Sequence, residues 1–413
     1  MSRVGSEIRA MWAWSLYVWR YRLTDGGKTV LLAISCAGMA AAVSLEIPLY
    51  HLFLSLMFFY GFSWLASSLF QPRVKVYGSF PEKAMEKVSF QVNFTLENLS
   101  RRPAYDVGLG FFGLPGAFRL KDEDVLVPFL PARGRARLQV TVVPGQRGWY
   151  QIPDALVYTS FPFHLRRTGE VFHRVGTVTV WPFFHPLRLV SLPLRSRHQP
   201  GGLAFGASCG DSPEYIGNRE YRPGDPTRRI DFRSWARLAR PVVREYQEEY
   251  YCRVGLVLDA FVGPRRHRRS FPELEAAVSL TAAVAEATCY GEYVVDLFAA
   301  GADIYTFRAG RSIGQFEQIL DILACLQGCH QDPLEKILPL LAEELSRMSA
   351  VIFIFLQWNQ LRRSLVRIAE EAGCLTRVVL IRATRPTEKR MISGQEVIEL
   401  TPEQVLTGQV EKI

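Results

Sequence analysis

This chain of 413 residues contains no Cys-x-x-Cys pair, and its seven cysteines, Cys36, Cys209, Cys252, Cys289, Cys325, Cys329 and Cys374, stand singly. That absence excludes a structural zinc site of the usual spacing and a disulfide-dense secreted scaffold, and it suits a reducing compartment. Cys325 and Cys329, four apart beside His330, read either as two thiols on one helical face or as small buried residues. Histidine is scarce, with seven residues in no metal-ligand spacing. Gly27-Lys28-Thr29 resembles the end of a phosphate loop, but Arg22 stands where the first glycine belongs. With no nucleophile and base, metal pair or phosphate loop in view, the chain reads as a non-enzymatic binding protein that needs no cofactor or metal. An active site assembled in space leaves no local trace and remains the alternative.

Charge is missing from two consecutive stretches, residues 29–45 and 47–70, parted by Glu46. Each is close to the ~20 residues that an α-helix needs to cross a ~30 Å hydrocarbon layer. Arg3, Arg9, Arg20, Arg22 and Lys28 precede them, and Arg73 and Lys75 follow. The connection holds no Lys or Arg, so both ends are expected on the cytoplasmic side. The expectation is a transmembrane helical hairpin over residues 29–70 of the cell membrane, after a cytoplasmic segment 1–28. Residues 11–21, with three tryptophans and two tyrosines, read as a helix in the headgroup region or as one packed on the next domain. The net charge of +9 is partly this flanking charge, and no nucleic-acid recognition motif accompanies it. A lipid bilayer is therefore the expected partner, not nucleic acid, which stays a lesser alternative.

Beyond the apolar block the composition is that of a globular protein. Residues 74–190 alternate apolar and polar, as in VSFQVNFTL, with turn signals at Pro115-Gly116, Pro144-Gly145 and Arg147-Gly148. This pattern predicts an antiparallel β-sandwich. Asn98-Leu99-Ser100 matches a glycosylation sequon, which a cytoplasmic domain never presents to the machinery. Residues 191–212 read as a Gly/Ser/Pro linker. From 250 to 413 the rhythm alternates: strands at 253–260, 293–300, 304–307, 350–357 and 376–381, helices at 272–291, 313–326, 334–348 and 361–371. That order predicts an α/β domain with a mostly parallel sheet.

Lysine is absent from residues 195–245, which carry ten Arg against six Asp plus Glu. Within the segment 213–249, Asp225 is placed to cap a helix beginning at Pro226 and ending before Pro241. On that helix Arg229, Arg233, Arg237 and Arg240 form a basic stripe beside an apolar one of Phe232, Trp235, Ala236 and Ala239. Arginine forks suit carboxylates, in a partner or across a domain junction. The segment therefore reads either as a docking surface or as an internal clamp to Glu248, Glu249 or others.

Arg219-Glu220-Tyr221, Arg222-Pro223-Gly224-Asp225, Arg228-Arg229-Ile230-Asp231-Phe232, Ala236-Arg237 and Val243-Arg244-Glu245 follow one another in this segment. Together they resemble the signature of the family known as domain of unknown function 58, with Phe232 in a slot that usually holds Trp. Arg147-Gly148-Trp149-Tyr150 and Phe161-Pro162-Phe163-His164-Leu165 resemble two further family elements, the latter with two departures. The resemblance implies paired membrane helices, a β-sandwich and a von Willebrand factor A-like domain. It also implies a MoxR-type AAA+ ATPase as partner. On this basis Arg219, Glu220, Arg222, Gly224, Asp225, Arg228, Arg229, Asp231, Phe232, Arg233, Arg237 and Arg244 are the candidate partner-binding or interdomain residues.

A von Willebrand A domain binds Mg²⁺ through Asp-x-Ser-x-Ser after its first strand. This chain offers Asp259-Ala260-Phe261-Val262-Gly263, without either serine, and a later strand ends Leu356-Gln357-Trp358 without Asp. Asp259 is thus the remnant of a degenerate metal site. Arg265, Arg266, Arg268 and Arg269 follow it and read either as guanidinium groups standing in for the cation toward an acidic partner or as a solvated loop.

Overall fold

In the computed structural model both uncharged stretches are helices, α1 (Asp25–Ser44) and α2 (Ile47–Leu69), each long and apolar enough to cross a membrane. Helix α1 starts four residues ahead of the expected span, with Asp25 and Lys28 paired in its first turn at 2.7 Å. Large apolar side chains such as Leu32, Met39, Val43, Phe58, Leu65 and Leu69 are exposed along both helices. The pair meets through small residues: Ala37 and Ala41 are buried one turn apart, and the Phe53 ring lies 3.0 Å from where a Cβ on Gly38 would sit. Close approach at small residues is how helices associate where no hydrophobic force distinguishes protein from lipid.

The structure describes residues 15, 17–44, 47–111, 113–121, 125–153, 155–172, 176–188, 190, 215–223, 225, 227–246, 253–263, 271–290, 293–301, 304–308, 313–383, 391–392 and 395–413. The chain divides into two units, Met1–Phe183 and Phe184–Ile413.

The first unit continues through β1 (Val74–Tyr77), β2 (Lys83–Met85), β3 (Phe90–Asn98), β4 (Ala104–Phe111), β5 (Phe118–Leu120) and β6 (Leu126–Leu130), then β7 (Arg135–Pro144), β8 (Gly148–Gln151), β9 (Ala155–Thr159), β10 (Thr168–Phe172) and β11 (Thr177–Trp181). Two antiparallel sheets, β1-β3-β7-β5 and β10-β9-β4-β6, share one core. Alternation makes the core: Val92, Phe94 and Leu96 of β3 point inward while Gln91 and Asn93 stay out. Phe80, Phe94 and Phe111 meet there with ring centroids 5.3–6.3 Å apart. A third sheet, β2-β11-β8, departs from the purely antiparallel expectation, since β11 runs parallel to β2. The unit ends at Phe183. Residues from Phe184 onward pack in the second unit, where His185 reaches the Leu406 carbonyl at 3.2 Å.

The hairpin is seated on the turn Phe161-Pro162-Phe163-His164-Leu165. The Arg167 N–H donates to the Arg22 carbonyl at 2.8 Å and the Thr24 N–H to that of Leu165 at 3.3 Å. Phe163 meets Phe59 and Phe62 edge-on at 5.3 and 6.0 Å, and Phe161 meets Phe70 at 5.0 Å. A side chain at Gly27 would run into the Leu165 carbonyl.

In the second unit β12 (Tyr215–Glu220), α3 (Phe232–Leu238) and β13 (Val242–Tyr246) precede the sheet. Then come β14 (Arg253–Asp259), α4 (Pro272–Tyr290), β15 (Val294–Ala300), β16 (Ile304–Arg308), α5 (Ile313–Cys325), α6 (Leu334–Leu345), β17 (Ala350–Phe355), α7 (Gln360–Glu371) and β18 (Leu375–Ile381). A small pair, β19 (Met391–Ile392) and β20 (Gln395–Glu396), leads to β21 (Ile398–Leu400) and α8 (Pro402–Leu406). The six-stranded sheet has the order β16-β15-β14-β17-β18-β21 and is parallel except for β16. Every residue of β17 is buried, as a strand covered on both faces requires.

Asn98 of the sequon is buried in the sandwich. Its Nδ2 donates to the carbonyls of Arg102 (2.9 Å) and Pro131 (3.0 Å), and its Oδ1 accepts the Ser100 N–H (2.9 Å). Asn98→Leu should cost about 2–3 kcal/mol, because it strands these backbone groups without water. The check is the denaturation midpoint of the full chain in detergent.

Candidate functional site

The Arg-rich segment folds as a hairpin carrying a short helix. Strands β12 and β13 pair antiparallel, with Asn218 opposite Arg244 and Glu220 opposite Val242. Between them a 3₁₀ turn, Thr227–Arg229, leads into α3. The N-cap of this helix is Asp231, not Asp225, and the helix is seven residues long. Asp231 Oδ1 accepts the N–H groups of Arg233 (3.2 Å) and Ser234 (3.4 Å), while Oδ2 accepts the Ser234 hydroxyl (2.8 Å) and Asn218 Nδ2 (3.2 Å). Arg244 completes the cluster at 3.5 Å. Asn218 and Ser234 were not singled out from sequence. The Asp-x-x-Ser spacing, a cap with a second oxygen three residues on, was the available signal.

Asp225 has a different task. It receives both guanidinium nitrogens of Arg219, at 2.7 and 2.8 Å, and the Arg222 N–H at 2.8 Å. Arg240 pairs with Glu220 across the hairpin. The expected four-arginine stripe is therefore divided: only Arg233 and Arg237 lie on α3, since Arg229 is in the preceding turn and Arg240 beyond the helix end. Ala239, at φ +53°, ends the helix ahead of Pro241. Among the described residues, no carboxylate lies in ion-pair range of Arg228, Arg233 or Arg237.

The apolar stripe is present but faces outward. Phe232 is 67% exposed, Trp235 38% and Leu238 45%, with Phe232 and Trp235 stacked at 6.0 Å. A helix this short packs little of its own surface, and its one buried residue is Ser234. Gly224, Arg265, Arg266, Arg268, Arg269, Glu248 and Glu249 lie outside the described residues.

Arg219 first, then the Arg222 N–H, pulls the Asp225 carboxyl down to about 2. The Ser234 hydroxyl, and then Asn218, Ser234 N–H and Arg244, hold Asp231 lower still against its partial burial. Both folded values lie below the ordinary carboxylate value, so the stability they contribute is present above about pH 4 and fades as pH falls toward 2. Asp225→Asn with Asp231→Asn should flatten the loss of thermal midpoint between about pH 4 and 2.

A second cluster occupies the carboxyl edge of the parallel sheet, where ligands of open α/β sheets sit. Asp259, at the end of β14, is fully buried. Its Oδ1 accepts the Phe261 N–H at 3.0 Å, and its Oδ2 accepts Arg362 Nε and Nη2 at 3.0 and 2.6 Å. The other side of the same guanidinium holds Asp332. Arg362 has no exposed surface and stacks 5.4 Å over the Phe261 ring. Asn359 caps α7, its side chain accepting the Arg362 N–H at 3.0 Å, and so aims the arginine inward. Burial pushes the Asp259 carboxyl up to about 6, against the pull of Arg362. Sequence reading found Asp259 but neither Asp332 nor Arg362, which are 73 and 103 residues away and follow no local spacing.

The cysteines beside this cluster do not share a helical face. Cys325 ends α5 and is exposed, while Cys329 lies past the helix, buried, with its N–H donating to the Ala260 carbonyl at 2.9 Å. Burial, and then Asp259, pushes the Cys329 thiol up to about 11, so it stays protonated at neutral pH. Among the described residues, no group of three or more His, Cys, Asp or Glu is placed to hold a metal ion. The two carboxylates at the sheet edge already share a guanidinium.

Arg362→Met should destabilise the chain by about 3–5 kcal/mol, because the fully buried Asp259 and the partly exposed Asp332 lose their counter-ion. Pairing it with Asp259→Leu should return part of that loss, since an apolar pair strands only Asp332. Chemical denaturation of the single and double variants distinguishes a neutralised ion cluster from simple packing.

Residues 217–410 match the family model described as "Protein of unknown function DUF58". No curated protein matches the chain. Among solved structures, a Salmonella α-2-macroglobulin reacted with methylamine aligns at 19% identity and TM-score 0.22, over 28% of this chain and 7% of that one. An Escherichia coli α-2-macroglobulin fragment aligns at 18% identity and TM-score 0.22, over 28% and 18%. The PapD-like domain 7 of human CEP192 aligns at 15% identity and TM-score 0.19, over 27% and 84%. The chain thus spans less than a fifth of these two macroglobulin chains, and similarity at this level carries no argument.

Proposed function

Residues 217–410 match the model of the DUF58 family of unknown function, and from that premise we propose that this chain is a membrane-anchored, non-enzymatic scaffold that binds a protein partner through α3. One observation carries the reading. Phe232, Trp235 and Leu238 are exposed beside Arg233 and Arg237, which have no acidic partner among the described residues. Aromatic and arginine side chains together are the usual anchors of a protein interface. The arginines call for an acidic surface on the other side, and the partner class implied by the family resemblance is a MoxR-type AAA+ ATPase.

In this reading the signature has two jobs. Arg219, Arg240 and Arg244 hold the hairpin together from within, and Arg228, Arg233 and Arg237 face the partner. The α/β unit is a von Willebrand factor A-like domain whose metal position has been taken over by Arg362, so partner binding needs no divalent cation. Helices α1 and α2 span the cell membrane with both chain ends in the cytoplasm. The basic flanks Arg20, Arg22, Lys28, Arg73 and Lys75, against a connection without Lys or Arg, support that orientation.

Affinity capture of a MoxR-type ATPase by the full chain from native membranes tests the proposal. Arg233→Glu with Arg237→Glu should reduce capture at least tenfold, a cost of about 1.4 kcal/mol or more, and leave the thermal midpoint unchanged. Chelation should have no effect on wild-type capture. Undiminished capture by the charge-reversed variant sinks the docking role of α3.

A further inference from the structure

Among the described residues, two arginines at the foot of the hairpin have no acidic partner. Arg22, just ahead of α1, and Arg166, just after the turn that seats the hairpin, are both half-buried. They are brought together by the ladder in which Leu23 pairs with Arg166 and the Arg167 N–H donates to the Arg22 carbonyl at 2.8 Å. The Arg22 side chain donates to the Gly169 carbonyl at 3.4 Å, and Arg166 lies 5.4 Å over the Trp64 ring. Burial first, and then repulsion from Arg22, lowers the Arg166 pKa. On the neighbouring segments Asp25 pairs with Lys28 at 2.7 Å and Asp106 faces His164 at 3.6 Å. Two like charges held together and partly dehydrated are costly unless an anion joins them.

The position indicates which anion. Trp64 lies about one turn from the end of α2, and Asp25 opens α1, so the pair sits where both apolar helices leave the hydrocarbon. We propose that Arg22 and Arg166 form a binding site for the phosphate of an anionic phospholipid, with the Trp64 ring at the headgroup level. The site rests on the membrane reading given above. Guanidinium forks grip phosphate oxygens bidentately, and the low dielectric at the boundary strengthens the contact. Phosphatidylcholine offers the same phosphate with a choline cation beside it, which the arginine pair would repel. The lipid would complete the joint between hairpin and sandwich, because Arg22 and Arg166 come from its two sides.

Native mass spectrometry of the detergent-solubilised full chain, with phosphatidylglycerol or phosphatidylcholine added, tests the site. Wild type should retain one phosphatidylglycerol molecule in preference to phosphatidylcholine. Arg22→Gln with Arg166→Gln should weaken that retention roughly 30-fold, about fivefold per charge near a membrane surface. Arg22→Lys with Arg166→Lys should keep most of it, and Arg101→Gln with Arg102→Gln, on an exposed sandwich loop, should keep all of it. Equal retention of both lipids, or undiminished retention by the glutamine variant, overturns the site. Displacement by millimolar inorganic phosphate reassigns it to a free anion and overturns the lipid. An alkaline wash of the membranes separates the two readings. Release of wild type from the pellet removes the membrane premise and the site with it, whereas retention combined with either lipid result above removes the site alone.

Discussion

An arginine without access to water has to be neutralised from inside the protein, and Arg362 meets that demand with Asp259 on one side and Asp332 on the other. The three residues come from the end of β14, the segment before α6 and the first turn of α7, so one ion cluster ties three connections at the carboxyl edge of the sheet. Charge buried at this depth is tolerated only when its geometry is complete, which makes the cluster a constraint on how these segments close. It also occupies the place where an open α/β sheet would receive a ligand. Among the described residues, Asp259, Asp332 and Arg362 at that edge satisfy one another, whereas Arg233 and Arg237 on the hairpin that carries α3 have no acidic partner.

On that hairpin, satisfaction and exposure are divided among residues of the same type. Arg219, Arg240 and Arg244 meet Asp225, Glu220 and Asp231 and hold the strands and helix in place. Arg233 and Arg237 have no such partner among the described residues and flank the bare Phe232 and Trp235 rings. In the first unit the exposed groups are apolar instead. Its apolar helices leave large side chains exposed, while their ends are held by backbone hydrogen bonds and aromatic contacts to the turn around Phe163.

Much of the fold was legible without coordinates. The uncharged stretches became α1 and α2, the alternating segments became sandwich strands, and the strands and helices from Arg253 to Ile381 appeared within a few residues of their expected limits. Periodicity reports these elements because burying one face is a local requirement on side-chain spacing. The helix in the signature was misplaced for a local reason as well. Asp225-Pro226 and Asp231 both satisfy the capping pattern, and the choice between them fell to Arg219, which pairs with Asp225 across the turn and leaves Asp231 to cap.

By itself the sequence determined that this chain has two membrane-length helices, a sandwich and a mostly parallel sheet, and that an Arg-rich segment stands between the last two. Only the tertiary structure decided which arginines are consumed and which remain available. An ion pair depends on distance in space, and no spacing along the chain announces that Arg362 will lie against a carboxylate 103 residues earlier, or Arg22 beside Arg166.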